Sequence, residues 1–173
     1  MASEEVYKIV FKIVLIGETK VGKTCILNQY CHGKFDPNIP TSLTAQYIKK
    51  EMKLDESKSI TLDIWDTAGL EKYRSLAKIF FRDSNAVIIV YDPTDEKSFK
   101  ELKEFWYCQV KDLNKVLAVV ANKCDLDEKK IKDEEGKEFA ESIGAIFASV
   151  SAKDNIGLST LFEQIVQAIK NKK

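Results

Sequence analysis

Eight residues near the amino terminus have the types and the spacing that bind phosphate in many proteins. The segment from Gly17 to Thr24 reads glycine, four residues, glycine, lysine and threonine. In such a loop the backbone N–H groups bind phosphate oxygens, and the start of the next helix adds positive potential. We predict that Lys23 reaches the β- and γ-phosphates of a nucleotide and that the Thr24 hydroxyl binds magnesium. The predicted binding residues here are Gly17, Glu18, Thr19, Lys20, Val21, Gly22, Lys23, Thr24 and Cys25. A turn that binds no ligand is the alternative for this motif alone.

A second motif follows the strand that is predicted to end at Trp65. The carboxylate of Asp66 can hold magnesium through water, and the N–H of Gly69 can contact a γ-phosphate. The Asp-x-x-Gly pattern occurs in many turns, so it indicates a site mainly because of its position after a strand.

A third motif, at residues 122–125, has the chemistry to select guanine. The Asp125 carboxylate can accept hydrogen bonds from guanine N1–H and from its N2 amino group. Adenine would leave that carboxylate without a donor, which is costly for a buried group. Lys123 can lie along the base, and Asn122 can connect this segment to the phosphate-binding loop. A polar turn is the alternative for this motif alone.

Two weaker signals complete the predicted site. Ser151, Ala152 and Lys153 follow the last strand candidate, and the Ala152 N–H could donate to guanine O6. Phe35 could cover the base, although a core aromatic residue is an equally good interpretation of Phe35.

Short apolar segments alternate with longer amphipathic ones, which predicts an α/β fold. Strands are predicted at 8–16, 45–54, 58–65, 86–91, 116–121 and 145–149, and helices at 23–31, 71–81, 97–113, 132–142 and 157–170. We expect a mostly parallel six-stranded sheet with helices on both faces, and a 45–65 hairpin whose outer strand is the antiparallel edge. Because ligands bind beyond the carboxyl ends of parallel strands, the motifs should converge there.

The composition narrows the class of protein. With 173 residues, 27 basic and 27 acidic, the chain fits one soluble domain, and its charge does not indicate a nucleic-acid partner. Zinc binding is not expected, because Cys25, Cys31, Cys108 and Cys124 form no CxxC pair and only His32 could assist. Free thiols and the lack of a signal peptide or long apolar segment favour the cytoplasm.

Taken together, these residues resemble a small GTPase of the Ras superfamily over essentially the whole chain. Segments 60–65, 72–76, 80–84 and 90–94 are similar to the Rab group, and 41–47 is most similar to endosomal Rabs. The resemblance implies a single G domain of the P-loop NTPase type over residues 1–173, which binds GTP or GDP with Mg²⁺. It also implies two switch loops, roughly 35–46 and 67–80, that are ordered by the γ-phosphate.

The same resemblance implies partners and a location. Rabs regulate vesicular traffic through exchange factors, GTPase-activating proteins and effectors, and Tyr47, Trp65 and Phe80 match an aromatic triad of the effector surface. The alternative interpretation is that these three are ordinary packed aromatic residues. Rabs reach endosomal or other vesicle membranes peripherally, through a prenylated tail. This chain ends at Lys173 without a cysteine, so we interpret it as truncated before that tail.

Two positions differ from the family pattern. Ser42 stands where the family has the first-switch threonine that binds magnesium, unless Thr41 or Thr44 takes that role. Leu70 stands where the family has a glutamine that orients the attacking water. Leu70 and Lys23 are thus the predicted catalytic positions. Since leucine cannot hydrogen-bond, we expect impaired hydrolysis and a GTP-locked state. An engineered substitution is favoured, and a naturally hydrolysis-deficient scaffold is the alternative.

Overall fold

Six strands form one sheet at the centre of the protein. A computed structural model describes residues 8–40, 44–68 and 71–172, without the side chain of residue 73. The strands are β1 (Ile9–Gly17), β2 (Gln46–Lys53), β3 (Ser59–Asp66), β4 (Ala86–Tyr91), β5 (Val116–Ala121) and β6 (Ile146–Ser149). Their order is β2-β3-β1-β4-β5-β6, with β2 antiparallel to β3 and all other pairs parallel. The predicted strands and the antiparallel edge are confirmed.

The burial of the strands explains their sequence patterns. Every residue of β4 and β5 is buried, because helices cover both faces of the central sheet. Every residue of the edge strand β2 is exposed or half-buried, in a largely alternating pattern. The predicted hairpin turn is closed by Asp55, whose carboxylate accepts hydrogen bonds from the backbone N–H groups of Ser57 and Lys58, both at 2.8 Å.

Helices pack on both faces of this sheet, as predicted. They are α1 (Lys23–His32), α2 (Ala77–Phe81), α3 (Glu96–Glu101), α4 (Tyr107–Val110), α5 (Asp133–Ser142) and α6 (Leu158–Lys172). Odd and even strand positions divide the core: Ile13 and Leu15 face α1 and α6, whereas Val14 and Ile16 face the other helices. Among the helices of the described residues, none is long and apolar enough to cross a membrane.

Two predicted helices are less regular than the sequence suggested. The segment predicted as a helix over 71–81 begins with a 3₁₀ helix, Glu71–Leu76, before α2. The segment predicted over 97–113 ends at Val110 and contains a π-helical turn, Leu102–Trp106, between α3 and α4. Its buried residues Leu102, Trp106 and Val110 are spaced by four, which drifts about 40° per step around an α-helix. The wider π turn absorbs that drift and keeps all three in the core.

Candidate functional site

The loop between β1 and α1, which we call the phosphate loop (residues 17–24), needs glycine at two positions. Gly17 has φ +143°, and a Cβ there would lie 2.3 Å from the carbonyl oxygen of Val90. Gly22 has φ +96°, and a Cβ there would lie 2.2 Å from Nδ2 of Asn122. Any larger residue would therefore separate this loop from the ends of its neighbouring strands.

A cavity of about 370 Å³, which we call the main cavity, lies beyond the carboxyl ends of the strands. Most of the predicted site residues line it: Thr19, Lys20, Gly22, Lys23, Thr24, Cys25, Phe35, Asn122, Lys123, Asp125, Ala152 and Lys153. The remaining predicted residues that the structure describes are not part of this lining: Gly17, Glu18, Val21, Asp66 and Ser151. Ser42, Gly69 and Leu70 lie outside the described residues. The cavity therefore joins the phosphate loop to the 122–125 and 151–153 segments.

The ammonium group of Lys23 lies at the phosphate-loop end of the main cavity and is almost fully buried. It donates to the carbonyl oxygens of Gly17 and Glu18, at 2.9 and 2.7 Å. It also forms an ion pair of 2.7 Å with the carboxylate of Glu71, at the start of the 3₁₀ helix. A buried cation needs such anionic or carbonyl partners, so this position suits a phosphate oxygen as well.

Thr24 and Asp66 place two oxygen ligands side by side. The Thr24 hydroxyl donates to Oδ2 of Asp66 at 2.5 Å, and the Ala68 N–H donates to Oδ1 at 2.9 Å. Asp66 is fully buried, and that burial raises the pKa of its carboxyl above the ordinary value. A hydroxyl oxygen next to a carboxylate is the donor set that Mg²⁺ prefers, so these residues fit the ion.

Asn122 joins the three loops of the site. Its Nδ2 donates to the carbonyl oxygen of Val21 at 3.0 Å, so the predicted link to the phosphate loop is present. Its Oδ1 accepts the Ala152 N–H at 3.2 Å. That N–H must be shared or redirected if it is to reach guanine O6.

The carboxylate of Asp125 is oriented by a hydrogen bond from a buried serine. The Ser151 hydroxyl donates to its Oδ1 at 2.7 Å, and Ser151 itself is fully buried. One carboxylate oxygen is thereby oriented by the protein while Asp125 lines the main cavity. Ser151 is thus placed to position the predicted base-binding group rather than to touch the base.

Lys123 has a partner that our sequence analysis missed. Its Nζ lies 2.5 Å from Oδ2 of Asp92 and 2.8 Å from the carbonyl oxygen of Lys20. Burial acts to raise the pKa of Asp92, but hydrogen bonds from Lys123 and Thr94 outweigh it and hold the pKa below its ordinary value. Asp92 directly follows β4, so the strand-end rule that indicated Asp66 would also have found it.

A second missed cluster connects the phosphate loop to the segment before α2. Oε1 of Glu18 accepts hydrogen bonds from Arg74, at 3.1 Å, and from the indole N–H of Trp106, at 3.0 Å. Arg74 also pairs with Glu101 at 3.1 Å and lies over the ring of Phe105, 3.9 Å from its centre. The π turn brings Phe105 and Trp106 to this cluster. The side chain of Glu18 therefore binds other groups of the protein, Arg74 and Trp106.

The three aromatic residues predicted as an effector surface contact one another in a row. Tyr47 stacks on Trp65 with ring centres 4.7 Å apart, and Trp65 lies 5.6 Å from Phe80. Tyr47 is 50% exposed, and Ile79, one residue before Phe80, is also exposed. Both interpretations of the triad, packing and partner binding, fit this geometry.

The cavity makes one cysteine a reporter of ligand binding. Cys25 lines the main cavity and Cys31 does not. Burial raises the pKa of both thiols, that of Cys31 to about 11. Because the thiolate is the reactive form, we expect both to alkylate slowly at neutral pH, and faster as the pH rises toward these pKa values. Exposed Cys108 should react first. Peptide mass mapping after iodoacetamide treatment would show this order.

Cys31 is the internal control for this experiment. Bound nucleotide should cover Cys25 and slow its alkylation further, while the rate at Cys31 stays constant. Equal protection of both thiols would indicate general stabilisation rather than occupancy of the main cavity.

The strand order, the phosphate loop and the cavity at the strand ends together define the P-loop class of nucleotide-binding folds. A model of the Ras family matches residues 12–171. Ras-related protein Rab-21 from Mus musculus is 42% identical over 159 residues, which cover 88% of this chain and 69% of that protein. The chain therefore belongs to the Ras family of small GTPases.

Two other relatives are also Rab proteins. Ras-related protein Rab-22A from Homo sapiens is 40% identical over 165 residues, covering 91% of this chain and 82% of the relative. Ras-related protein Rab-3A from Homo sapiens is 35% identical over 175 residues, covering 99% of this chain and 79% of the relative. Members of this family are GTPases that bind guanine nucleotides with Mg²⁺.

Proposed function

We propose that this chain is a guanine-nucleotide-dependent switch that binds GTP or GDP with Mg²⁺ and hydrolyses GTP slowly. The observation that carries the proposal is the shared main cavity, with Lys23 and Thr24 at one end and Asp125 and Lys123 at the other. A phosphate group and a base are the two ends of a nucleotide. The family membership of the chain supports the same function.

Each group in the cavity has a separate task in this proposal. Lys23 exchanges its carbonyl and carboxylate partners for phosphate oxygens, where it stabilises the charge that develops during transfer. The Thr24 hydroxyl would bind magnesium directly, and the Asp66 carboxylate would hold it through water. The ion would supply positive charge that neutralises the phosphates. Asp125, oriented by Ser151, accepts the donors of guanine.

We place Ser42 and Leu70 in this function on the family pattern alone. The Ser42 hydroxyl is the proposed first-switch ligand of magnesium, and the Gly69 N–H is a proposed γ-phosphate contact. Leu70 occupies the position of the water-orienting residue, where an apolar side chain supplies no hydrogen bond to the attacking water. The chain should therefore keep an intact γ-phosphate and stay in its active state.

The proposed biological role is the regulation of vesicular membrane traffic through effector proteins, with exchange factors and GTPase-activating proteins as regulators. The Rab relatives support this role. The row of Tyr47, Trp65 and Phe80 is the proposed effector surface. We propose a cytoplasmic protein that associates peripherally with endosomal or other vesicle membranes.

The nucleotide that copurifies with the protein tests the proposal directly. Denatured protein should release guanine nucleotide in near-stoichiometric amount, and GTP should exceed GDP. Mass spectrometry of the released nucleotide measures both. Adenine nucleotide, or none from a folded sample, would contradict the proposed function, and mainly GDP would contradict the locked state.

Introducing glutamine at position 70 separates a slowed switch from a hydrolysis-deficient scaffold. We expect Leu70→Gln to raise the single-turnover rate of GTP hydrolysis by at least about tenfold, because the amide can position the attacking water. GTP affinity should stay the same. Leu70→Asn, whose shorter amide does not reach as far, is the matched control. An unchanged rate with Leu70→Gln would favour the scaffold.

A further inference from the structure

A second cleft lies at the opposite end of the sheet from the main cavity. It has a volume of about 460 Å³ and is lined by Lys78, Phe81, Arg82, Gln109, Leu113 and Lys115. We call it the α2 cleft, because one wall is formed by α2 and by Arg82, the residue that follows it. The end of α4 and the connection to β5 form the other wall. It lies near the amino ends of β4 and β5, so a nucleotide in the main cavity does not reach it.

The charge of this cleft is positive. Lys78, Arg82 and Lys115 line it, and none of the three forms an ion pair with any residue that the structure describes. Asp83 and Asp112 are nearby in sequence but do not line the cleft. Over the whole chain 27 basic residues are balanced by 27 acidic ones, so three cations around one depression favour an anionic ligand.

The walls of the cleft are fixed by hydrogen bonds that do not involve its cationic groups. Lys12 donates to the carbonyl oxygen of Arg82 at 3.0 Å. The backbone N–H of Val116 donates to the carbonyl oxygen of Asn85 at 3.2 Å. The cationic side chains can therefore be changed while the two walls keep their attachment to the sheet.

The size and lining of the cleft indicate what kind of anion fits. The volume is several times that of a phosphate ion, and Leu113, 39% exposed, supplies an apolar surface in the lining, whereas Phe81 is buried. Ion pairs at exposed cations are individually weak, so a ligand must combine several charges with an apolar contact. Asp83 and Asp112 are exposed and are neighbours in sequence of the lining residues, which favours a narrow acidic segment over a broad anionic surface such as a bilayer.

We propose that the α2 cleft binds an acidic peptide segment of a partner protein. Its carboxylates pair with Lys78, Arg82 and Lys115, and one apolar side chain packs on Leu113. The Gln109 amide is within the same lining and can bind the peptide backbone. This proposal does not depend on the proposed nucleotide function, because the two sites lie at opposite ends of the sheet.

A fluorescein-labelled peptide, Asp-Glu-Asp-Leu-Asp-Glu, tests the proposal by fluorescence anisotropy with the full chain. We expect saturable binding that weakens by roughly tenfold or more in R82E/K115E, because each reversal replaces attraction by repulsion. The double variant K100E/K137E makes the same charge change on exposed lysines elsewhere and should bind like the unchanged protein. Amide NMR shifts at Gln109 and Leu113 should accompany binding.

Several results would overturn the proposal. The first is that the acidic peptide does not bind. The second is that R82E/K115E binds it as tightly as the unchanged protein does. The third is that the uncharged peptide Asn-Gln-Asn-Leu-Asn-Gln binds as tightly as the acidic one. Displacement of the peptide by inorganic phosphate, or preferential binding of phosphatidylserine vesicles at these residues, would assign the cleft to a different ligand. If R82E/K115E fails to fold, R82Q/K115Q removes the same positive charges, and an unchanged circular dichroism spectrum and melting temperature verify its fold.

Discussion

Replacing Lys23 by alanine is expected to weaken GTP and GDP binding by roughly a hundredfold to several thousandfold. Removing one partner from a buried charge pair costs about 3–5 kcal/mol, because the other charge is left without compensation. In the nucleotide-bound state that other charge is the phosphate group. The side chain of Lys23 is almost fully buried, so water would not compensate the phosphate charge once the ammonium group is removed. Isothermal titration calorimetry with Mg²⁺ present measures the loss.

Two further variants make the Lys23 result interpretable. Lys23→Met keeps most of the side-chain volume without the charge, so it should lose affinity as Lys23→Ala does. Lys137→Ala removes an exposed lysine remote from the main cavity and should leave affinity unchanged. Retained nucleotide affinity in a folded Lys23→Ala protein would show that residues 17–24 have only a structural role.

The second large effect is expected from Asp125→Asn, which should abolish the preference for guanine over adenine. A site that hydrogen-bonds the donors of its ligand can discriminate by about 10⁴-fold, and that factor should fall toward one. The amide oxygen of the substituted side chain could still accept the Ser151 hydroxyl, as the carboxylate does. The amide NH₂ group would then face the donors of guanine, so the position is kept while complementarity is lost.

Competition between GDP and ADP for a fluorescent nucleotide measures this preference. The matched control is Asp127→Asn, which makes the same change two residues away at an exposed position outside the main cavity. If Asp125→Asn keeps its preference for guanine, then the base is recognised by other groups and our assignment of Asp125 is wrong.

The strands of the sheet could be predicted closely because their burial produces a clear pattern of apolar residues in the sequence. Strands buried on both faces, such as Val116–Ala121, appear as unbroken apolar segments, and all six strands match to within one residue. The helical segments before and after β4 were less predictable. The π turn at Leu102–Trp106 depends on how three residues spaced by four pack against the sheet. Helical periodicity does not distinguish such a turn from a regular helix.

The candidate site was predictable where a motif follows a strand, as at Asp66, Asn122 and Ser151, because parallel topology brings those ends together. The ion pairs of the site could not be predicted from the sequence. Glu71 contacts Lys23 across 48 positions of sequence, and Arg74 contacts Glu18 across 56. Such pairs depend on side-chain rotamers and on the path of an irregular segment, and neither can be derived from local spacing.

The hydrogen bond from Trp106 to Glu18 gives the protein a built-in optical probe. The chain has two tryptophans, and they lie in different places: the Trp106 indole contacts the phosphate loop, and Trp65 lies in the aromatic row with Tyr47 and Phe80. Emission from an indole depends on its polar surroundings. Replacing either tryptophan by phenylalanine leaves a single tryptophan, whose emission reports on either the phosphate loop or the aromatic row, so both regions can be observed in unlabelled protein.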